Sequence, residues 1–282
     1  MQMRIDLREV ACFGVAGNFT GHLEQAGEAS SFAEVKTAEA NAPKALFPTY
    51  IPGAKAPTPE FLGTFPFDEY RIIFPTGVDK LQIEPECAIV CDCVWQDGIL
   101  KDLKPLVFGA SNDCSIRREG ASKISEKKNW GPSSKGLASN LIKLDTFESG
   151  GILDKYRIAS FMIREGVVHA YGEDSAVRDY SYIYGKLKAW LLDRFNQQEN
   201  KGPAEDLHAY LNASGLPQRV MVSVGATRYT DFGEHNFLKN GDRSVVVVYP
   251  ENVYSKEEII HRVERDNLEE DDISVLSQEL VQ

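Results

Sequence analysis

Glu84 and Glu86, in 82-QIEPECAIVCD-92, are two residues apart, so in an extended segment both carboxylates point to one face, above Ala88 and Val90. Two adjacent carboxylates repel, and one takes up a proton unless a cation lies between them. An E-x-E pair also arises on the solvated face of an edge strand, so the pair needs a third partner. Asp113, in 109-GASNDCSIRREGA-121, follows an apolar stretch at an expected strand end, though an Asn-Asp pair also serves as a turn. Together Glu84, Glu86 and Asp113 make an all-oxygen trio suited to magnesium, manganese or calcium rather than zinc. His22, in 17-GNFTGHLEQAGEA-29, beside a Gly-rich turn that opens a short helix, has the chemistry of a general base near neutral pH.

The elements that must position these groups read as β-dominated α+β. Strands are expected at 1–13, 70–95, 99–113, 156–171, 219–229 and 243–250, with tight hairpin turns at Asp97-Gly98 and Glu165-Gly166. Apolar residues at Ile183, Leu187, Trp190, Leu191 and Phe195 mark a helix in 179–197, and a second short helix is expected in 198–217. Thr20 or Asn18 is the expected N-cap of the helix that carries His22. The proline-rich stretch 41–68 predicts extended segments and turns. The stretch 114–150 reads as a long ordered loop with a short helical piece. The acidic end, 255–282, reads as a peripheral helix with a frayed terminus, outside a single domain of 1–254. There is no P-loop, no G-x-G-x-x-G after a strand and no G-x-S-x-G elbow.

Composition narrows the function classes. Of 282 residues, 42 are acidic and 31 basic, a net charge of −11, which argues against a phosphate-tracking nucleic-acid binder. No apolar run is long enough to predict a membrane span, and Asp6 and Glu9 fall where a signal peptide would be apolar. The five cysteines, Cys12, Cys87, Cys91, Cys93 and Cys114, read as reduced thiols in a cytoplasmic protein. Cys87, Cys91 and Cys93 are spaced too widely along one strand face for a tetrahedral zinc site.

Taken in order, the motifs resemble those of the fumarylacetoacetate hydrolase family across roughly residues 10–250. They are Gly17-Asn18 with His22, Glu84-Pro85-Glu86, Asp113-Cys114-Ser115-Ile116-Arg117, Lys135 in 133-SSKG-136, Ser223-Val224-Gly225-Ala226-Thr227 and 237-FLKNGD-242. The resemblance implies a β-roll of mixed sheets with peripheral helices. It also implies Mg2+ (or Mn2+ or Ca2+) held by Glu84, Glu86 and Asp113, with His22 and Lys135 as catalytic residues. Thr227, Gly225 and Arg117 are implied at the substrate, with bracing of the metal loop the favoured role for Arg117. The implied activity is hydrolysis of a C–C bond in a small 2-oxo or 1,3-dicarbonyl acid. Isomerase, tautomerase or decarboxylase chemistry and non-catalytic ligand binding are the alternatives. A homodimer is the implied assembly, and a small oxo-acid the implied partner.

Three residues depart from the family pattern. Gln25 stands where a Glu would form a water-activating dyad with His22. Glu24 lies about 200° round a helix from His22 and Glu28 about 240°, so neither replaces it without a break in that helix. Gly120 stands where a Gln contacts substrate. Pro85 removes a ladder N–H between the two glutamates, which predicts an edge or bulge there.

Overall fold

The computed structural model describes residues 5–282 apart from 33, 34, 36 and 119. Among these residues three sheets form. The largest contains β1 (Ala11–Ala16), β2 (Ala45–Tyr50), β5 (Pro85–Gln96), β6 (Ile99–Asn112), β8 (Gly136–Leu137), β9 (Ile142–Lys143) and β12 (Arg219–Ser223). Its order is β2-β1-β12-β5-β6-β8, with β9 also on β6. Only β1 and β12 run parallel, so the sheet is mixed. The second sheet is ordered β11-β10-β13-β14-β3: β3 (Arg71–Ile73), β10 (Tyr156–Arg164), β11 (Val167–Ala176), β13 (Arg243–Pro250) and β14 (Ser274–Val281). A two-stranded ribbon joins β4 (Leu81–Gln82) to β7 (Ser115–Ile116).

Local chemistry explains these elements. The β5–β6 and β10–β11 hairpins turn at Asp97-Gly98 and Glu165-Gly166, both with positive φ at both residues, as a type I′ turn requires. Pro48 is tolerated in β2 because that strand is the sheet edge, and the ladder is irregular opposite it. Pro85 is the first residue of β5, the other position where a missing N–H does no harm.

Apolar faces of the two large sheets close on each other through Phe13, Ile89 and Phe108 on one side and Ile158, Val246 and Leu276 on the other. Helix α2 (Tyr184–Gln197) buries Leu187, Leu191 and Phe195 against the first sheet, with Phe13 and Phe195 edge to face. Helix α3 (Leu207–Ala213) packs on α2, and α4 (Asp231–His235) packs on β11 near Tyr171. Helix α5 (Lys256–Glu264) covers the outer face of the second sheet with Ile259 and Val263.

Two expectations are corrected here. The end of the chain is not a frayed helix: after α5 it returns as β14, between β13 and β3, with Ser274, Leu276, Gln278 and Leu280 buried. Its acidic residues gather before the strand, and the alternation in 274-SVLSQELV-281 is a strand pattern. The helix carrying His22, α1 (His22–Gln25), has Gly21 at its N-cap, with φ +87 and no side-chain cap. Asn18 is used elsewhere: its amide donates to the Tyr182 and Val224 carbonyls and accepts from the Tyr182 N–H.

Candidate active site

The site lies where β4, the start of β5, β7 and the loop 124–135 converge. Glu84 leaves the ribbon just before β5. Its backbone N–H donates to Asn112 Oδ1 and its carbonyl accepts from the Asp113 N–H, which locks the E-x-E segment to the end of β6. Glu84, Glu86 and Asp113 are all buried, with ligand oxygens within 4.8 Å of one another. Glu86 Oε2 accepts one hydrogen bond, 2.6 Å, from the Gly225 N–H. Burial and the charges of Asp113 and Glu84 push its carboxyl well above the usual range. The donor set, buried and all oxygen, fits a hard divalent cation.

Four cations surround these acids. Lys128 Nζ lies 2.5 Å from Glu84 Oε2 and 2.7 Å from Asp113 Oδ2, and it sits 5.1 Å from the centre of the Phe47 ring. The Asp113 contact is ionic, its angles falling outside hydrogen-bond geometry. Lys135 Nζ is 3.4 Å from Asp113 Oδ1, donates to the Cys114 carbonyl and lies over Trp130. Arg117 Nη2 reaches Glu84 Oε1 at 2.7 Å and the Tyr229 hydroxyl at 2.8 Å, while its Nε donates to Gln82 Oε1 at 2.6 Å. Lys127 pairs with Glu28. Opposed by burial, Lys128 and Arg117 hold the Glu84 carboxyl well below the usual carboxylate range.

His22 is buried and its Nδ1–H donates to the Thr227 carbonyl, 2.8 Å, which leaves Nε2 as an acceptor. Burial, reinforced by Arg117 and Lys128 and opposed by Glu84, lowers its pKa to about 4. The ring is therefore neutral at pH 7. His22, Glu84, Ser115, Arg117, Lys128 and Phe47 line one cavity of about 30 Å3, room for a water molecule or two. Ser115 Oγ, on its wall, is buried without a hydrogen-bond partner.

The sequence-expected residues thus gather, though in unequal roles. Glu84, Glu86, Asp113 and His22 converge with Arg117, which braces Glu84. Lys135 stands behind Asp113. Thr227 and Gly225 hold the site's own side chains: Thr227 bonds His22 through its carbonyl and Pro85 through its N–H, and Gly225 bonds Glu86. Gln25 faces away from the cavity, bonded to the Tyr229 backbone and to Glu234. The helix break that Glu28 requires is present: α1 ends at Gln25, Gly27 has φ +70, and Glu28 faces the cavity. Lys127, Lys128 and Ser115 were not among the expected residues. The pair Lys127-Lys128 reads as solvated loop until its burial is known. Ser115 sits inside the Asp-x-Ser-x-Arg motif, which is the signal that points to it.

A family profile described as "Family of unknown function (DUF5718)" matches residues 28–280. No curated protein matches the sequence. Among solved structures, an uncharacterised protein of Mycobacterium abscessus superimposes with TM-score 0.56 at 14% identity, over 100% of this chain and 81% of that one. A 2-keto-3-deoxy-D-arabinonate dehydratase complexed with magnesium and 2,5-dioxopentanoate gives TM-score 0.54 at 13% identity, over 96% and 72%. A 5-carboxymethyl-2-hydroxymuconate delta-isomerase of Mycobacterium smegmatis gives 0.51 at 14%, over 96% and 78%. At such identities the likeness is one of fold: the chain shares the strand-dominated, mixed-sheet architecture of these proteins.

Proposed function

For this chain, which belongs to the DUF5718 family and carries motifs that resemble those of the fumarylacetoacetate hydrolase family, we propose divalent-metal-dependent enolisation of a small 2-oxo acid. The observation that carries this reading is the cluster of three buried carboxylates, one of which, Glu84, lines a small cavity together with a neutral, oriented histidine. Glu84, Glu86 and Asp113 would hold the cation, which would supply Lewis-acid stabilisation of an enolate. His22 Nε2 takes the proton from the carbon next to the carbonyl, and the Thr227 carbonyl holds the ring in the required tautomer. Ser115 Oγ, Arg117 and Lys128 offer a donor and two positive charges to the acid's oxygens. Phe47 and Leu23 give the cavity an apolar wall.

Isomerisation, dehydration and decarboxylation need no activated water, and they suit a site in which Gln25 is bonded away from the cavity. Two structural neighbours named above, a dehydratase and an isomerase, carry names of this kind. The C–C hydrolase reading needs a base for water; Gln25 does not supply one, and Glu28, which faces the cavity, is paired with Lys127 and Arg117.

The test combines metal content with proton exchange. After equilibration with magnesium or manganese, elemental analysis should find one equivalent in the wild type and none in Glu86→Ala. In D2O, a panel of 2-oxo acids followed by NMR should show exchange of the hydrogens next to the carbonyl. Absence of both metal and exchange would overturn the reading. Exchange accompanied by a water-cleaved product would restore hydrolysis.

A further inference from the structure

Two of the three carboxylates, Glu84 and Asp113, stand in contact with three buried cations, Lys128, Lys135 and Arg117, while Glu86 is held by the Gly225 N–H. Lys128 is placed differently from the other two. Lys135 touches only Asp113 of the trio, and Arg117 only Glu84, whereas Lys128 Nζ bridges Glu84 and Asp113 at 2.5 and 2.7 Å. A divalent cation takes carboxylate oxygens at about 2.0–2.6 Å. An ammonium already at this separation from two of three ligand residues occupies the space the ion needs.

From this overlap we infer that Lys128 is a tethered counter-ion that competes with the divalent cation for Glu84 and Asp113, and so makes cation binding depend on an anionic substrate. The inference rests on the proposed metal site and goes beyond it. Without a second cation, Lys128 offsets the repulsion among the acids and keeps the site assembled. When a cation binds, the displaced ammonium, on a buried side chain, is left without its partners, and an unpaired buried charge is costly. Glu28, the nearest other carboxylate on the wall, is already paired with Lys127 and lies 3.5 Å from Arg117. The carboxylate of an oxo acid supplies the missing negative charge. Cation and acid therefore bind together, each tightening the other by the same factor.

The experiment measures Mn2+ affinity by electron paramagnetic resonance, with and without oxalate, whose adjacent oxygens imitate the enolate. Free Mn2+ is corrected for its oxalate complex. For the wild type, oxalate should tighten Mn2+ binding by about tenfold or more. In Lys128→Gln and Lys128→Met, Mn2+ alone should bind about tenfold or more tightly than to the wild type, with little further gain from oxalate. Lys128→Arg, which keeps the charge, should stay weak. Equal or weaker Mn2+ binding in the neutral variants would overturn the inference while leaving the metal site standing. No Mn2+ binding by any form, with or without oxalate, would remove both. Should the neutral variants not fold, the wild type still decides: a thermal shift as large with Mn2+ alone as with Mn2+ plus oxalate sinks the coupling.

Discussion

The Nδ1–H of His22 is fixed on the Thr227 carbonyl, and burial near Arg117 and Lys128 keeps the ring neutral, so tautomer and charge state are set by different groups. This has a measurable cost. With a folded pKa of about 4 against 6.5 unfolded, the unfolded chain binds a proton between those pH values that the folded chain does not. Stability from this group is complete above pH 6.5 and falls as the pH drops toward 4. From pH 7 to pH 5 its share of the loss is about 2 kcal/mol. Denaturant titrations should show that share missing in His22→Asn. The same variant should lose proton-exchange activity by about 100-fold or more. At this scale the sequence told much: the trio and the histidine stand together as their motifs suggested. Lys128 and Glu28 were hidden because a charged residue in a polar loop carries no mark of burial, and because the turn at Gly27, not helical periodicity, aims Glu28.

Helix assignment from periodicity worked at α2, where one face alone is buried, and both hairpins were marked by their turn residues, Asp97-Gly98 and Glu165-Gly166. At α1 the short helix stands where the Gly-rich turn predicted it, and only its cap differs, being Gly21 rather than Thr20 or Asn18. The segment 198–217, which carries the expected second helix as α3, also braces the lysine loop. Lys123 donates to the Gly202 and Ala204 carbonyls, Ile124 to Pro203, and Ser125 Oγ to Glu205 Oε1 at 2.7 Å. Glu205 is fully buried, with its other oxygen unpartnered, and burial pushes its carboxyl up to about 7. Between pH 4.5 and 7 the unfolded chain releases a proton that the folded chain retains, so stability falls as the pH rises through that window. The penalty at pH 8 is about 3 kcal/mol. Thermal melts of Glu205→Gln should show a higher Tm than the wild type at pH 8 and little difference at pH 4.5; an unchanged Tm at pH 8 would count against a charged, buried Glu205.

Across the whole molecule the site is held by residues far apart in sequence. Gln278, on β14, accepts from Asn112 and donates to the Asp68 and Lys135 carbonyls, so the last strand clamps the loop that carries Lys135. That link was not legible, because pairing between sheets leaves no local pattern. No helix among the described residues is long and apolar enough to cross a membrane. The central cavity, at about 30 Å3, is smaller than any 2-oxo acid, while a wider groove of about 450 Å3 lies outside it. The two share Glu28, Arg117 and Lys127 as a common wall. Passage of an oxo acid from the outer groove into the inner chamber would require that wall to part. Inhibition by a tight oxo-acid mimic should accordingly show slow onset, with bending progress curves and an onset rate that levels off as inhibitor concentration rises. The plateau is the frequency at which the door opens, a property of the protein that no choice of inhibitor can raise.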